Sequence, residues 1–330
     1  MNLLPSVTVI ATVKNEASSI GMLLDSLSKQ TEQPDEIIIV DGGSTDDTVN
    51  MIRAHPLSQC GIVRVLVQKG ANISQGRNAA IAAARGEIIA STDAGVRLSP
   101  VWLAELMKPF REQNPPPDIV SGFFLPDPHS VFETAMGATI LPAATEIVPE
   151  RFNPSSRSVA FRKSAWEWVR GYPEWLDYCE DLIFDFRLRR AGFRFAFAPQ
   201  AIACFRPRSS LAAFFRQYYR YARGDGKADI WRKRHAIRYV TYLVALPSLI
   251  ALGVIHSPLW WLLLLLGAVG MLWTPYKRLR SELRRHSLAG KIQAVLWVPL
   301  IRVTGDVAKM IGYPVGLWWR WRHRPPANFN

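Results

Sequence analysis

Apolar positions in the first hundred residues follow two rhythms. VTVIATV (7–13), EIIIV (36–40), IVRVLVQ (62–68) and EIIAST (87–92) are short runs rich in β-branched residues. Between them Ile20, Leu23, Leu24 and Leu27 recur at helical spacing, TVNMIRAH (48–55) reads as a second helix, and GANISQGRNAAIAAARG (70–86) as a glycine-bounded loop and an alanine-rich helix. The order βαβαβαβ predicts an α/β fold, a mostly parallel sheet with helices on both faces. Uninterrupted apolar strands fit burial on both sides. NPPPD (114–118) is the clearest internal linker.

The pattern changes after about residue 225. YVTYLVALPSLIALGVI (239–255) and PLWWLLLLLGAVGMLW (258–273) contain no charge, and His256-Ser257-Pro258 makes a turn between them. Each is slightly shorter than the ~20 residues of a typical span. A buried hairpin of a soluble core would show the same runs, but charge favours a membrane. Up to position 199 there are 19 basic and 23 acidic residues; beyond it there are 21 and 4. Arg232, Lys233, Arg234 and Arg238 precede the pair, and Lys277, Arg278, Arg280, Arg284 and Arg285 follow it. The turn carries neither lysine nor arginine, so both flanks are expected on the cytoplasmic side of the inner membrane. Positive charge that flanks apolar spans argues against nucleic acid as the partner. The expected division is an ordinary folded domain over 1–225 and a membrane-associated region over 226–330, with the hairpin at about 239–273. In a third apolar stretch, 291–319, Arg302, Asp306 and Lys309 share one helical face. It reads as an interfacial amphipathic helix, or else as a third span with its charges paired inward. WWRWRHR (318–324) suits an interface anchor. The opening MNLLPSV shows no signal-peptide pattern. Three cysteines without a CxxC give no disulfide or zinc framework.

Candidate chemistry sits at the strand ends, where open parallel sheets bind ligands. Asp41 ends the second strand, and Gly42 and Gly43 let the chain turn sharply. Ser44 with Asp47 suits a capping box, which an ordinary strand–helix turn would share. Thr12, Asn15 and Glu16 follow the first strand, Arg77 and Asn78 the third, and Asp93 the fourth. No GxGxxG follows the first strand and no GxxxxGK[ST] occurs. Acids there can hold a base, a ribose or a divalent cation, and an arginine suits a phosphate.

VTVIATVKNEASSIGMLLDSL, IIIVDGGSTDDT, GRNAAIAAARGEIIASTDAG and YCEDLIFDFRLRRAGFRFAFAP, in this order, resemble family 2 glycosyltransferases of the glycosyltransferase A fold over roughly residues 5–225. The resemblance implies a nucleotide-binding sheet and an inverting transfer, by a hexosyltransferase, from a nucleotide-diphospho-sugar. Ala11, Thr12 and Glu16 would then line the base site, with Asp41 and Gly43 at the nucleoside. Gly70 and Arg77 would approach the ribose and diphosphate. Asp93 would bind Mg2+ or Mn2+, although Ala94 and Gly95 stand where the commonest motif has a second carboxylate. Asp181 would be the catalytic base, with Glu180 as orienting neighbour or substitute. The residues alone favour Asp181 as a plain helix N-cap, with Gly192 as the stop; the resemblance reverses that preference.

Gln217, Arg220 and Tyr221 resemble a Gln-x-x-Arg-Trp motif with tyrosine for tryptophan, on the acceptor or diphosphate side. The same segment reads as an amphipathic interfacial helix. DIVSGFFLP (118–126) and the aromatic stretch 157–175 resemble acceptor-side elements. Arg157 and Trp175 are acceptor candidates there, while Phe123, Trp166 and Trp168 suit core packing equally. The expected acceptor is membrane-associated, either a lipid or a polyprenyl-linked saccharide. The alternatives are a processive polysaccharide synthase and a catalytically silent nucleotide-binding scaffold.

Overall fold

A computed structural model describes residues 5–326. Residues 1–4, part of the stretch read for a leader, and the Arg285 side chain lie outside this description. In chain order the main elements are β1 (Val7–Val13), α1 (Ile20–Ser28), β2 (Glu36–Asp41), α2 (Thr48–Ala54), α3 (Pro56–Gln59), β3 (Val63–Val67), α4 (Ile73–Ala83), β4 (Ile88–Asp93), β5 (Val96–Leu98), α5 (Trp102–Glu112), β6 (Ile119–Pro126) and α6 (Val131–Ile140). They continue with β7 (Val159–Arg162), α7 (Lys163–Trp168), α8 (Glu180–Arg190), β8 (Phe195–Phe205), α9 (Leu211–Ala228), α10 (Arg232–Tyr239), α11 (Leu246–Ile255), α12 (Trp261–Glu282) and α13 (Leu288–His323).

The chain forms two compact units. The first contains the residues up to Asp127 and Ala144–Arg206; the second contains Pro128–Ala143 and Pro207–Pro325. The packing units thus divide at 206/207, and the second borrows an earlier segment. The cause is packing: α6 buries Phe132 and Met136 in one cluster with Phe214 of α9, Leu279 of α12 and Val298 of α13.

The first unit is an eight-stranded sheet of order β3-β2-β1-β4-β7-β6-β8-β5. Its first four strands are parallel, as the βα alternation predicts. β7 then pairs antiparallel with both β4 and β6, so the sheet as a whole is mixed. Strand residues alternate between two covered faces. Ile37 and Ile39 of β2 join the cluster under α1 and α5, whereas Ile38 and Val40 join the one under α4 and α8. This two-sided burial is why these strands are apolar without a break.

In the second unit, α10, a π-helical segment (Val240–Ala245) and α11 run on as one apolar helix, Arg232–Ile255. With Pro258–Glu282 it gives two helices among the described residues that are long and apolar enough to cross a membrane, and only 6 % of either apolar stretch is buried. Helix α13 packs along α9. Any side chain at Gly312 would strike the Tyr219 carbonyl, and one at Gly316 the Arg223 carbonyl, so glycine is required for this approach. The opposite side of α13 exposes Leu288, Ile292, Leu296, Leu300 and Ile311, an apolar stripe at helical spacing. Its one acid points inward. Asp306 is buried and accepts from Arg238 Nε (2.8 Å) and the Tyr242 hydroxyl (3.1 Å), with Arg302 Nε at 3.8 Å. Lys309 Nζ lies 4.8 Å from the centre of the Tyr218 ring.

Candidate active site

The site grows from the carboxyl ends of β1, β2 and β4. Strand register places Thr12 beside Asp93 and Val13 beside Asp41. The loops beyond are fastened together. Asp41 Oδ1 accepts from the Gly43 and Ser44 amides (2.9 Å each), and the Ser44 hydroxyl donates to Asp41. The amide of Asn15 donates to Ser44 Oγ (2.8 Å), and that of Glu16 to Thr48 Oγ1 (2.8 Å). Ser44 therefore braces Asp41 and does not build the expected capping box; α2 begins after Asp47 with no side-chain cap. The capping box lies instead at Asn72 and Gln75, where α4 starts. Gly43 has φ +91° and Gly70 φ +83°, the left-handed backbone that glycine permits. The Gly70 amide bonds the Gly42 carbonyl (3.2 Å), which joins the β3 loop to the β2 loop.

Helix α4 can approach β1 because residue 76 is glycine: a Cβ there would lie 2.9 Å from Thr12 Cγ2. The next residue, Arg77, is thereby buried beneath the strand ends, with 3 % of its side chain exposed. Its guanidinium donates to Glu180 Oε1 at 2.5 Å and to Asp93 Oδ1 at 3.1 Å, and lies 5.5 Å from the centre of the Tyr172 ring. Burial works against the Arg77 charge, but Glu180 and Asp93 more than offset it and hold the group above its ordinary pKa. Burial, then the Asp181 charge, push the Glu180 carboxyl up to about 7, against the pull of Arg77. Asp181 is half-buried and its Oδ1 accepts from the Leu182 amide (2.8 Å). Glu180 and Asp181 form the first turn of α8, favourable for negative charge at a helix N-terminus. The N-cap is Cys179 in left-handed backbone (φ 65°), not Asp181, and Gly192 (φ +84°) ends the helix region as its sequence predicts.

Arg157 reaches the same place from the segment before β7. Its Nε is 3.6 Å from Asp93 Oδ2, and its guanidinium stacks 4.4 Å from the centre of the Phe205 ring. Asn78 pins the loop before α8: its amide donates to the Tyr172 carbonyl and Glu174 and accepts from the Tyr172 amide and the Trp166 indole, all within 2.9–3.1 Å. Trp175 follows this anchored loop and is half-buried. Of the three aromatic residues read as core candidates, Phe123 is core, Trp166 is half-buried and hydrogen-bonded, and Trp168 is 74 % exposed. Ala11 is buried in the sheet. Gln217, Arg220 and Tyr221 belong to the second unit, where Gln217 Nε2 donates to the Tyr221 hydroxyl (2.7 Å). Asp185, one turn beyond Asp181, escaped the sequence reading: it is 4 % exposed and its Oδ2 has no hydrogen-bond partner.

The described residues contain no group of three or more His, Cys, Asp or Glu able to hold a metal. Asp93, the acidic candidate, keeps 31 % of its side chain exposed. A carboxylate has about four acceptor positions, so the two guanidinium contacts leave capacity. The residues fit an ion held by one protein carboxylate with other ligands from a diphosphate, and not a protein-only cage.

Two family models divide the chain. The model described as glycosyl transferase family 2 matches residues 8–162, and that of glycosyl transferase family group 2 matches residues 151–301. The chain belongs to the family 2 glycosyltransferases. This glycosyltransferase is 26 % identical over 212 residues to the O-antigen chain rhamnosyltransferase WbaN of Salmonella anatum, a match covering 60 % of this chain and 65 % of that relative. It is 24 % identical over 233 residues to the glycosyltransferase AglE of Haloferax volcanii, covering 69 % and 75 %. In fold it resembles the mannosyltransferase PcManGT of Pyrobaculum calidifontis, solved with GDP-Man and Mn2+, with a TM-score of 0.55, 19 % identity, and coverage of 98 % of this chain and 88 % of that one.

Proposed function

We propose that the enzyme is an inverting hexosyltransferase that moves one sugar from a nucleotide-diphospho-sugar to a lipid-linked or polyprenyl-linked saccharide at the cytoplasmic face of the inner membrane. The observation that carries this is the Arg77 tie. Asp93 at a strand end and Glu180 at a helix start, far apart in sequence, meet on one guanidinium. That tie fixes the diphosphate side of the pocket relative to the carboxylates that take the proton.

Asp181 is the base: Glu180 is committed to Arg77, whereas Asp181 is half-buried beside it. The acceptor oxygen attacks the anomeric carbon as its proton passes to Asp181. The bond from that carbon to the diphosphate oxygen breaks, and its electron pair leaves with the nucleoside diphosphate. One in-line displacement inverts the centre. Arg157 neutralises charge on the departing diphosphate. Asp93 would hold a Mg2+ or Mn2+ arriving with the donor, an ion that supplies further charge neutralisation when bound. Thr12, Glu16, Gly43 and Gly70 line the nucleoside side over the buried Ala11 and Asp41, which support it from beneath, and Trp175 lies on the acceptor side.

The membrane reading rests on the two apolar helices, their basic flanks and the outward apolar stripe of α13. At 36 residues α13 would extend ~54 Å, too long for an upright span of a ~30 Å core, and this favours an interfacial lie. The kinship with an O-antigen chain enzyme supports a cell-envelope glycan as the product. The two apolar helices among the described residues fit single additions, and product length separates these from processive synthesis.

The test measures thermal stabilisation of the detergent-purified protein by UDP, GDP and dTDP with and without Mn2+, together with turnover of Asp181→Asn. One nucleotide should stabilise, more so with Mn2+. Asp181→Asn should keep that shift and lose ~10²–10⁴-fold in rate. A variant that retained wild-type turnover would remove Asp181 from the mechanism. No shift with any nucleotide, in a folded protein, would overturn the transferase reading, whereas a shift with no turnover would favour a silent nucleotide-binding scaffold.

A further inference from the structure

The second unit contains a cavity of about 750 Å3 where the end of α9, the start of α10 and the end of α13 meet. No step of sugar transfer uses it. Its charged lining is Arg232, Arg320 and Arg324 against Asp229. Asp229 takes Arg232 in a bidentate pair, through Nε (2.6 Å) and Nη2, which leaves Arg232 Nη1 for another acceptor; 74 % of that side chain is exposed. Arg320 Nη1 is fixed by the Lys227 carbonyl (2.9 Å), and its Nε lies 3.9 Å from Asp229. The lining thus carries more cation than its one carboxylate neutralises, and two of its guanidinium groups, Arg232 and Arg320, are held in place.

The remaining wall is aromatic and apolar. His235 stacks on Tyr313 with ring centres 3.8 Å apart, and bonds Asp225 through Nε2 (3.1 Å) and Arg238 through Nδ1 (3.2 Å), so it is committed to structure. Ala236, Leu317 and Trp321 complete that wall. From Ala236 and Tyr239 the surface continues onto exposed Val240, Leu243 and Val244 of the first apolar helix. The turn that builds the cavity is strained: Asp229 (φ 57°) and Trp231 (φ 60°) are both left-handed, a conformation unfavourable for non-glycine residues. Arg234 braces it from 3.9 Å over the Trp231 ring.

We infer that this cavity binds the phosphate headgroup of an anionic membrane lipid. Arginine forks match phosphate oxygens, and the volume falls in the range of small-molecule sites. The apolar continuation along the first span gives acyl chains a path that a soluble phosphate would not use. The inference rests on the reading that the apolar helices enter a membrane.

Native mass spectrometry of the full chain, released from neutral detergent, tests it with phosphatidylglycerol, phosphatidylcholine and inorganic phosphate as probes. Phosphatidylglycerol should be retained in preference to phosphatidylcholine. Removing two arginines in Arg232→Ala/Arg324→Ala should weaken retention by about tenfold or more, at ~1 kcal/mol per charge. Ala236→Trp puts an indole into the cavity without changing charge and should also weaken retention of the lipid. Nucleotide-induced stabilisation checks that each variant is folded. Equal retention of the two lipids, or wild-type retention by the folded double variant, would overturn the inference. Displacement of the lipid by inorganic phosphate would do so too, by assigning the cavity to a soluble anion. Flotation with phosphatidylcholine vesicles containing phosphatidylglycerol separates the two readings: a wild-type chain that does not float defeats the membrane reading, whereas flotation without lipid preference defeats the cavity alone.

Discussion

Each unit buries an ionic cluster, and the two are charge inverses. In the first, one arginine is enclosed by Glu180 and Asp93, with Asp181 adjacent. In the second, one aspartate is faced by Arg238 and Arg302. They differ in access to water. Arg77 is 3 % exposed and Glu180 8 %, whereas Arg302 is 42 % exposed. Glu180 cannot leave Arg77 and so fixes that geometry, although Asp93 is 31 % exposed; Arg302 can turn outward from Asp306, although Arg238 is only 15 % exposed, so that cluster contributes mainly cohesion. The first arrangement suits a reaction centre and the second a joint between helices.

Arg77→Met should produce the largest effect. It strands two carboxylates, and breaking a buried pair costs about 3–5 kcal/mol. Thermal or denaturant unfolding should show this loss, with turnover abolished; a stable, active variant would mean that the tie is incidental.

Next comes pH. The Glu180 carboxyl stands at about 7 in the fold against 4.5 ordinarily. The folded state therefore holds its proton to higher pH. The corresponding stability is complete below about 4.5 and is lost as pH rises through about 7. Asp185, raised first by burial and then by Asp181, acts in the same direction. Melting temperature should fall across that interval, and the fall should shrink in Glu180→Gln. An unchanged profile would remove Glu180 from the account.

Asp306→Asn should have the smallest effect of the three, about 1–3 kcal/mol, because the charged hydrogen bond is lost but Arg302 can turn to water. Nucleotide stabilisation should be unaffected. A loss equal to that of Arg77→Met would erase the contrast between the clusters.

Much of the first unit was legible in the sequence because its strands bury both faces and its helices only one, so period and apolar content agree. The strand-end acids were legible for the same reason, since a polar residue that ends an apolar run must leave the sheet. The Arg77–Glu180 contact was not, because 103 positions separate the partners and nothing local marks them. Asn78 looked like a ligand-side residue, yet its amide is spent on the Tyr172 loop. Ser44 and Asp47 had the spacing of a capping box, but Asp41 competed for the serine. The inserted helix α6 reads from sequence like any other helix; only its partners, far along the chain, show to which unit it belongs.

That insertion has a consequence during synthesis. Phe132 of α6 packs edge-on against Trp297 of α13, with ring centres 4.9 Å apart. The ribosome must make roughly 160 further residues before that partner emerges, on the order of 8–30 s at ~5–20 residues per second. Through this interval the apolar side of α6 is covered only in part, by Phe214 and then Leu279 as they are made. The nascent chain thus carries a sticky segment from its middle until its last long helix arrives, a window in which a chaperone or the membrane surface itself can hold it.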